Sequence, residues 1–250
     1  VAAAGSLMML STSSSTPVEA VAPAAGNTWM QLYWMNDRGI TRALVERAEA
    51  AGVHALALTV DAPRLGWRER EARHGDWETG GVVQVHLPDP WPDGLAIEAG
   101  LTWRDLDWLR GITRLPIVLK GVLTAEDARI AADEGIPGIV VSNHGGRQID
   151  FAQSAIDALP PISDAVGDRV ELYLDSGVRR GTDVLKALAL GARAVFLGRP
   201  VHWALALGGE AGVRRLFALV DGELGSAMGI LGAASLDALG PDAVVRRPGW

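Results

Sequence analysis

The segment from Ser142 to Asp150 reads SNHGGRQID and directly follows an apolar run that predicts a strand. Its two glycines allow the backbone to turn sharply and to approach a ligand closely. His144 can accept a proton near neutral pH, and Arg147 can bind a carboxylate through two N–H groups. A base beside a carboxylate-binding arginine is what the oxidation of a 2-hydroxy acid requires. The alternative is an ordinary turn with a hydrogen-bonded histidine and a surface arginine.

Other charged and glycine-containing segments also follow predicted strands. Lys120 ends one apolar run and precedes a glycine, where its charge could stabilise negative charge on a ligand. Glycine turns with arginines follow the last two predicted strands and could bind a phosphate through backbone N–H groups. Their candidate residues are Asp175, Gly177, Arg179, Gly198 and Arg199. A surface lysine and plain turns are the alternatives.

Two strands carry polar residues in alternation. Gln31 and Tyr33 flank a leucine, so both point to one side of their strand, and Thr59 and Asp61 flank a valine in the same way. Polar side chains in a buried strand need hydrogen-bond partners. The pattern indicates either a hydrogen-bonded pair in the core or residues that contact a ligand.

The elements that must position these residues alternate between short apolar runs and amphipathic stretches. The predicted strands are 7–11, 29–33, 54–59, 116–119, 138–142, 170–174 and 194–197. Near-continuous apolar strands followed by helices predict a buried parallel sheet. Because candidate residues follow almost every strand, we predict an α/β fold of the (β/α)8 TIM-barrel type, whose sites lie at the carboxyl ends of the strands. The alternative is a doubly wound open sheet.

The predicted domain is one barrel over residues 1–250, interrupted by a long loop at 61–101. That loop carries Arg64, Arg68, Arg70 and Arg73 and is too long for a plain connection, so it is either a functional lid or a mobile segment. The helix after the first strand is expected to have Thr16 as its N-cap, with Pro17 at the first helical position. Asp37 is expected to cap the next helix.

Composition narrows the possible functions. The 250 residues carry a net charge of -7, which argues against nucleic acid as a partner. Cysteine is absent, so thiol nucleophiles and Cys-ligated metals are excluded, and no metal site is predicted. No apolar run is long enough to span a bilayer.

Together these motifs resemble the FMN-dependent L-2-hydroxy acid oxidases and dehydrogenases, in the family's order from about Ser6 to Leu231. SNHGGRQID is similar to the family's active-site signature, and QLY, LKG and the arginine-glycine turns match further motifs. The segment 63–69, PRLGWRE, is similar to PRLGRRE, with Trp67 in place of the first arginine of the pair. The family continues ahead of the position that matches Val1. The resemblance therefore implies that the first barrel strand and an early substrate-binding tyrosine are absent from this chain.

The resemblance also implies roles for individual residues. His144 would be the base, Asp61 would orient it, and Tyr33 would face the substrate. Arg147 and Arg68 would bind the substrate carboxylate. Lys120 would stabilise the reduced flavin. The residues that would contact FMN are Ser11, Gln31, Thr59, Lys120, Ser142, Asp175, Gly177, Arg179, Gly198 and Arg199.

The expected activity is FMN-dependent oxidation of a small L-2-hydroxy acid to the 2-oxo acid, with oxygen or another acceptor. The resemblance further implies a cytoplasmic homo-oligomer, a tetramer, without a membrane span. Two alternatives stay open. One is another flavin- or phosphate-binding barrel enzyme such as an isomerase, and the other is a truncated, non-catalytic remnant of the family.

Overall fold

The computed structural model describes residues 2–69, 73, 83–88, 94 and 96–245. By their contacts, the residues group into two compact units. Unit 1 comprises Val1–Lys120 together with Arg147–Ile149, and unit 2 comprises Gly121–Gly146 together with Asp150–Trp250. A single domain over 1–250 stays a prediction.

Unit 1 is built on parallel strands that pair in chain order. They are β1 (Met8–Leu10), β2 (Thr28–Leu32), β3 (Ala55–Thr59) and the first four residues of β4 (Ile117–Val122). The helices are α1 (Val18–Ala25), α2 (Arg38–Ala50) and α3 (Asp105–Arg110). Every residue of β2 and β3 is buried, as expected for parallel strands covered on both faces.

The first two helices begin differently. Asp37 caps α2 as predicted, because its side chain accepts hydrogen bonds from the N–H groups of Gly39 and Ile40. The prediction for α1 was wrong by one residue: Pro17 is the N-cap and not the first helical residue. Its backbone is extended, with φ -67° and ψ 145°.

A histidine from a distant part of the chain completes the start of α1. The Val18 N–H donates to Nε2 of His86 at 2.9 Å, and Nδ1 of His86 lies 3.2 Å from the carbonyl oxygen of Thr12. The ring therefore carries its proton on Nδ1 and accepts through Nε2. His86 is 5% exposed, so this neutral tautomer is part of the core of unit 1.

Unit 2 contains β5 (Gly138–Val141), β6 (Glu171–Leu174) and β7 (Ala194–Val195), again parallel and in chain order. Its helices are α4 (Ala125–Asp133), α5 (Ala155–Val166), α6 (Gly181–Ala189) and α7 (Arg199–Leu231). Helix α7 is interrupted at Gly208 and Gly209, whose backbones are not helical. In the part of the chain that the structure describes, no helix has the length and apolar character needed to cross a membrane.

The predicted long loop 61–101 is described in part. Arg70 lies outside the described residues, whereas Arg64, Arg68 and Arg73 are described. The end of the loop is attached to unit 1 by an antiparallel bridge between Met35 and Ile97. The segment 83–88 is attached through the Val85 N–H, which donates to the carbonyl oxygen of Ser14 at 3.1 Å.

Candidate active site

Gln31 lies at the centre of a hydrogen-bond network in unit 1. Its Oε1 accepts from the Thr12 N–H at 3.1 Å and from the Ser11 hydroxyl at 3.3 Å. Its Nε2 donates to the Thr59 hydroxyl at 2.9 Å. Because one backbone N–H fixes which end of the amide is the oxygen, the amide has a single orientation. Three of the predicted ligand-contacting residues are thus brought together.

Thr12 holds the backbone of the same strand. Its hydroxyl donates to the carbonyl oxygen of Gln31 at 2.7 Å and accepts from the Tyr33 N–H at 3.3 Å. Thr12 is fully buried. Thr12 was not predicted as a site residue, although its place next to Ser11 at a strand end was a usable signal.

Lys120 lies at the end of the unit 1 part of β4, in register with Thr59 of β3. The Val60 N–H donates to its carbonyl oxygen at 2.9 Å. The Lys120 side chain is half-buried. The Lys120 side chain therefore leaves β4 at the same level of the sheet as Thr59 leaves β3. Thr59 is hydrogen-bonded to Gln31 of the neighbouring strand β2.

Four predicted residues interact electrostatically around the Tyr33 phenol. Burial raises the pKa of Tyr33 above its usual value, and the negative charge of Asp61 raises it further. The positive charges of Arg68 and Arg147 act on the same phenol in the opposite direction. All four residues belong to unit 1. The charges of two guanidinium groups and one carboxylate thus act on a phenol that stays protonated at neutral pH.

Gln148 anchors the segment that carries Arg147. Its Nε2 donates to the carbonyl oxygens of Asp61 at 2.8 Å and Arg64 at 3.2 Å, and its Oε1 accepts from the Gly66 N–H at 3.3 Å. A Cβ at Gly66 would lie 2.3 Å from the carbonyl oxygen of Arg147, so only glycine fits there. Two segments more than 80 residues apart are therefore fixed to each other. Gln148 lies in the motif 142–150 but was not predicted as a site residue.

In unit 2, the backbone around His144 has an unusual conformation. His144, Gly145 and Gly146 have φ values of 56°, 68° and 72°, all in the left-handed region. The His144 N–H donates to the Ser142 hydroxyl at 3.0 Å. The carbonyl oxygen of Gly145 accepts from Nη2 of Arg199 at 2.8 Å. Ser142 is fully buried, so in unit 2 its hydroxyl positions the His144 loop.

Ser176 also contacts this loop. Its Oγ accepts from the N–H groups of Asn143 at 3.3 Å and Gly145 at 2.9 Å and donates to Oδ1 of Asp175 at 2.6 Å. The predicted residues Ser142, His144, Asp175 and Arg199 are thus joined in one network. Ser176 was not predicted.

The remaining predicted residues of unit 2 are Gly177, Arg179 and Gly198. Gly177 has φ 89°, and a Cβ at Gly177 or Gly198 would meet no heavy atom within 4 Å. Gly198 is the N-cap of α7. The Arg179 guanidinium lies 5.8 Å from the ring centre of Trp203, and the Arg179 N–H donates to Asp183. Asp61 and Arg147 belong to unit 1 and His144 to unit 2, so the predicted action of Asp61 on His144 stays a prediction.

Parallel strands in chain order, each followed by a helix or loop, with polar and cationic residues where the strands end, define an α/β-barrel enzyme that binds a phosphorylated cofactor. The chain belongs to the family of FMN-dependent dehydrogenases, whose model matches residues 1–246. The cofactor of this family is FMN, as the sequence predicts.

Relatives of known activity and structure agree with this assignment. The chain is 48% identical to an L-lactate oxidase of Nostoc sp., over 94% of this chain and 70% of the relative. It is 46% identical to glycolate oxidase 1 of Oryza sativa subsp. indica, over 94% of this chain and 68% of the relative.

A crystal structure of mandelate oxidase with (S)-2-phenylpropionate superposes with a TM-score of 0.87 at 44% identity. The match covers 95% of this chain and 69% of the other. The predicted barrel fold is confirmed, and the chain spans about 70% of the length of these relatives.

The residues present fit FMN. Gln31 has two amide N–H groups, of which one donates to Thr59, and no protein acceptor for the other is found among the described residues. In unit 2, a Cβ at Gly177 or Gly198 would meet no heavy atom within 4 Å, and α7 begins after Gly198 with N–H groups that favour an anion. The second amide N–H of Gln31 can donate to an acceptor on the flavin ring. The arginines and the helix N-terminus of unit 2 can bind a single phosphate.

Proposed function

We propose that this protein oxidises a small L-2-hydroxy acid to the corresponding 2-oxo acid, with FMN as the first electron acceptor. Oxygen or another compound is the final electron acceptor. The observation that carries the proposal is that Gln148 ties the segment of Arg147 to the segment of Asp61 and Arg68, and that the charges of all three residues act on the Tyr33 phenol. A carboxylate substrate needs paired cationic donors, and the oxidation needs a base near the same place.

The two arginines bind the substrate carboxylate in this proposal. Arg147 is exposed, so its guanidinium is accessible to a small anion, and Arg68 is half-buried. A guanidinium binds a carboxylate through two parallel hydrogen bonds, which fixes both its position and its plane. The Tyr33 hydroxyl stays protonated at neutral pH because its pKa is raised, so it can donate a hydrogen bond to the same substrate.

The oxidation removes two hydrogens and two electrons from the substrate. His144 takes one hydrogen as a proton, and the other leaves either with the electron pair, as a hydride, or as a second proton. An imidazole has a pKa close to neutral and serves well as a general base. The Asp61 carboxylate would orient the ring and stabilise the imidazolium that forms. The fixed left-handed backbone at His144 supports this role, because a base must be held in place relative to the bound substrate.

Two groups of residues hold the cofactor. When bound, FMN accepts the two electrons that leave carbon 2 of the substrate. Gln31, Thr59 and Ser11 would bind its ring, and the Lys120 ammonium would balance negative charge there. Asp175, Gly177, Arg179, Gly198 and Arg199 would bind the ribityl chain and the phosphate, with Ser142 supporting the ring side.

The test is an anaerobic titration of the flavin-loaded protein with glycolate, L-lactate and L-mandelate, with D-lactate and D-mandelate as matched controls. We expect at least one L-2-hydroxy acid to bleach the flavin absorbance, and the D-acids to leave it unchanged. A protein that retains FMN but is bleached by no acid would favour another flavin enzyme such as an isomerase. A protein that binds no flavin would favour the non-catalytic remnant.

Location and assembly form a separate proposal, namely a homo-tetramer in the cytoplasm. Helix α7 supports self-association, because Trp203, Leu205 and Leu207 on it are exposed by 50%, 53% and 89%. Light scattering of the purified protein tests the assembly, and a monomer at micromolar concentration would contradict it. Cell fractionation tests the location.

A further inference from the structure

Ser176 adopts a backbone conformation that serine rarely takes. It follows Asp175 directly after strand β6, and its φ is 72°. Residues with a Cβ are uncommon in this left-handed region, where glycine has no steric penalty. A glycine would therefore be the favoured residue here, so the presence of a serine points to a role for its side chain.

The Ser176 hydroxyl uses its full hydrogen-bonding capacity. A serine hydroxyl has one donor and two acceptor positions. The donor goes to Oδ1 of Asp175, and the two acceptor positions receive the N–H groups of Asn143 and Gly145. Because the hydrogen points at the carboxylate, both lone pairs face the His144 loop.

These bonds fix the chain on both sides of His144. Asn143 and Gly145 are its immediate neighbours, and the His144 N–H itself is held by Ser142. The direction of a side chain follows from the φ and ψ of its own residue and the position of its neighbours. Ser176 therefore helps to determine where the imidazole points, without touching it.

We propose that Ser176 is a positioning residue that sets the orientation of the His144 imidazole for proton transfer. This inference rests on the proposed function, in which His144 is the base. The serine is retained in an unfavourable backbone conformation because its hydroxyl fixes the His144 loop. A glycine would relieve the backbone but release the loop.

The decisive variant is Ser176→Gly, in which the hydroxyl is lost but the unfavourable backbone conformation is relieved. We expect its thermal stability to fall less than that of Ser176→Ala, because both variants lose the three hydrogen bonds but the left-handed backbone suits glycine. We expect the rate of flavin reduction to fall about 10- to 100-fold, since a small displacement of a catalytic group has effects of this size. The affinity for oxalate, an unreactive carboxylate, should not change.

Two companion variants separate the hydroxyl from the backbone. Ser176→Ala removes the hydroxyl and keeps the unfavourable φ, so it should lose both stability and rate. Phe151→Gly is the matched control, because Phe151 also has a left-handed backbone, with φ 62°, and is fully exposed. It should leave the rate of flavin reduction unchanged.

Hydrogen exchange gives a readout that does not depend on the reaction. The amides of Asn143 and Gly145 should exchange faster in Ser176→Gly and Ser176→Ala, while amides of β5 keep their protection. Unchanged protection at these two amides would overturn the inference, and so would a Ser176→Gly protein that reduces its flavin at the wild-type rate. His144→Gln is measured in parallel. If both His144→Gln and Ser176→Gly keep the wild-type rate of flavin reduction, the proposed function is wrong. If Ser176→Gly keeps that rate but His144→Gln does not, only the positioning role of Ser176 is wrong.

Discussion

The side-chain amide of Gln148 donates a hydrogen bond to the backbone carbonyl oxygen of Asp61 at 2.8 Å. The two residues are separated by 87 positions in the chain, yet this bond joins the segment after β3 to the segment that carries Arg147. Both arginines proposed to bind substrate lie within seven residues of one end of this contact. Gln148 thus fixes the distance between the backbone segments that carry the two arginines.

Replacement of Gln148 by alanine should weaken substrate binding. The loss of three hydrogen bonds to backbone groups, two of them part-buried, should cost about 1–2 kcal/mol, which corresponds to roughly a tenfold rise in the Kd of oxalate. FMN affinity should stay unchanged, because the FMN contacts are held by other residues. Spectral titration measures both affinities. Gln153→Ala, at an exposed side chain, is the control, and equal oxalate affinity in both variants would contradict the positioning role.

Arg147→Lys should weaken hydroxy acids and unreactive carboxylates together. A lysine ammonium keeps the charge but cannot form the paired hydrogen bonds of a guanidinium, so we expect a loss of about 2–4 kcal/mol in binding. Thermal stability should barely change because Arg147 is exposed. Arg129→Lys on α4 serves as control. If Arg147→Lys instead releases FMN while oxalate affinity is retained, Arg147 is structural and Arg68 takes the carboxylate.

His144→Gln should leave the spectrum of bound flavin nearly unchanged and slow flavin reduction about 10²–10⁴-fold. Glutamine preserves hydrogen bonding but cannot accept the proton. Stopped-flow absorbance under anaerobic conditions measures the rate, with His202→Gln, at an exposed position on α7, as the control. Reduction at the wild-type rate would remove His144 from the mechanism.

Stability should fall on mild acidification because of His86. Burial lowers the pKa of His86 below 6.5, so the unfolded chain binds a proton more readily than the folded protein. The contribution of neutral His86 to the free energy of unfolding is therefore complete above pH 6.5 and is lost as the pH falls below that value. Protonation would also remove the Nε2 acceptor that holds the Val18 N–H.

Urea denaturation at pH 8, 7, 6 and 5 measures this effect. His86→Ala should lower the free energy of unfolding at pH 8 by about 1–3 kcal/mol. The free energy of unfolding of this variant should also decrease less between pH 7 and pH 5 than that of the wild type. The charged groups that act on the pKa of His86 are Arg47 and Glu19, and a hydrogen bond from Arg47 lowers the pKa of Glu19 to about 2. Glu19 therefore titrates below this window. His54→Gln, at an exposed side chain, should keep the wild-type slope, and an equal slope in His86→Ala would contradict the assignment.

The local patterns of the sequence were sufficient for the strands, the Asp37 cap and the selection of Gln31 in β2 and Thr59 in β3 as polar residues of interest. Gln31 and Thr59 were recognised because alternation places side chains on known faces, and the structure joins them at 2.9 Å. Thr16 was predicted as the N-cap of α1 because threonine is a common N-cap residue. In the structure, the acceptor for the Val18 N–H comes from His86 instead. No short-range pattern predicts a contact over 68 residues.

Ser176 was missed for a different reason. A serine between an aspartate and a glycine reads as an ordinary turn residue, and only the φ of 72° reveals that its conformation is unfavourable. Gln148 was quoted within a motif, yet its partners are backbone atoms at 61–66, which carry no sequence signal. Residues that bind backbone atoms are harder to predict than residues that bind each other.

The left-handed run at His144, Gly145 and Gly146 has a consequence for enzyme design. A histidine grafted alone onto another scaffold would relax to a right-handed or extended backbone, because the left-handed state costs a residue with a Cβ about 1–3 kcal/mol. The smallest transplantable unit is the histidine together with Ser142, Ser176 and Arg199, which come from the ends of three consecutive strands. A host barrel must supply those strand ends before it can supply the base.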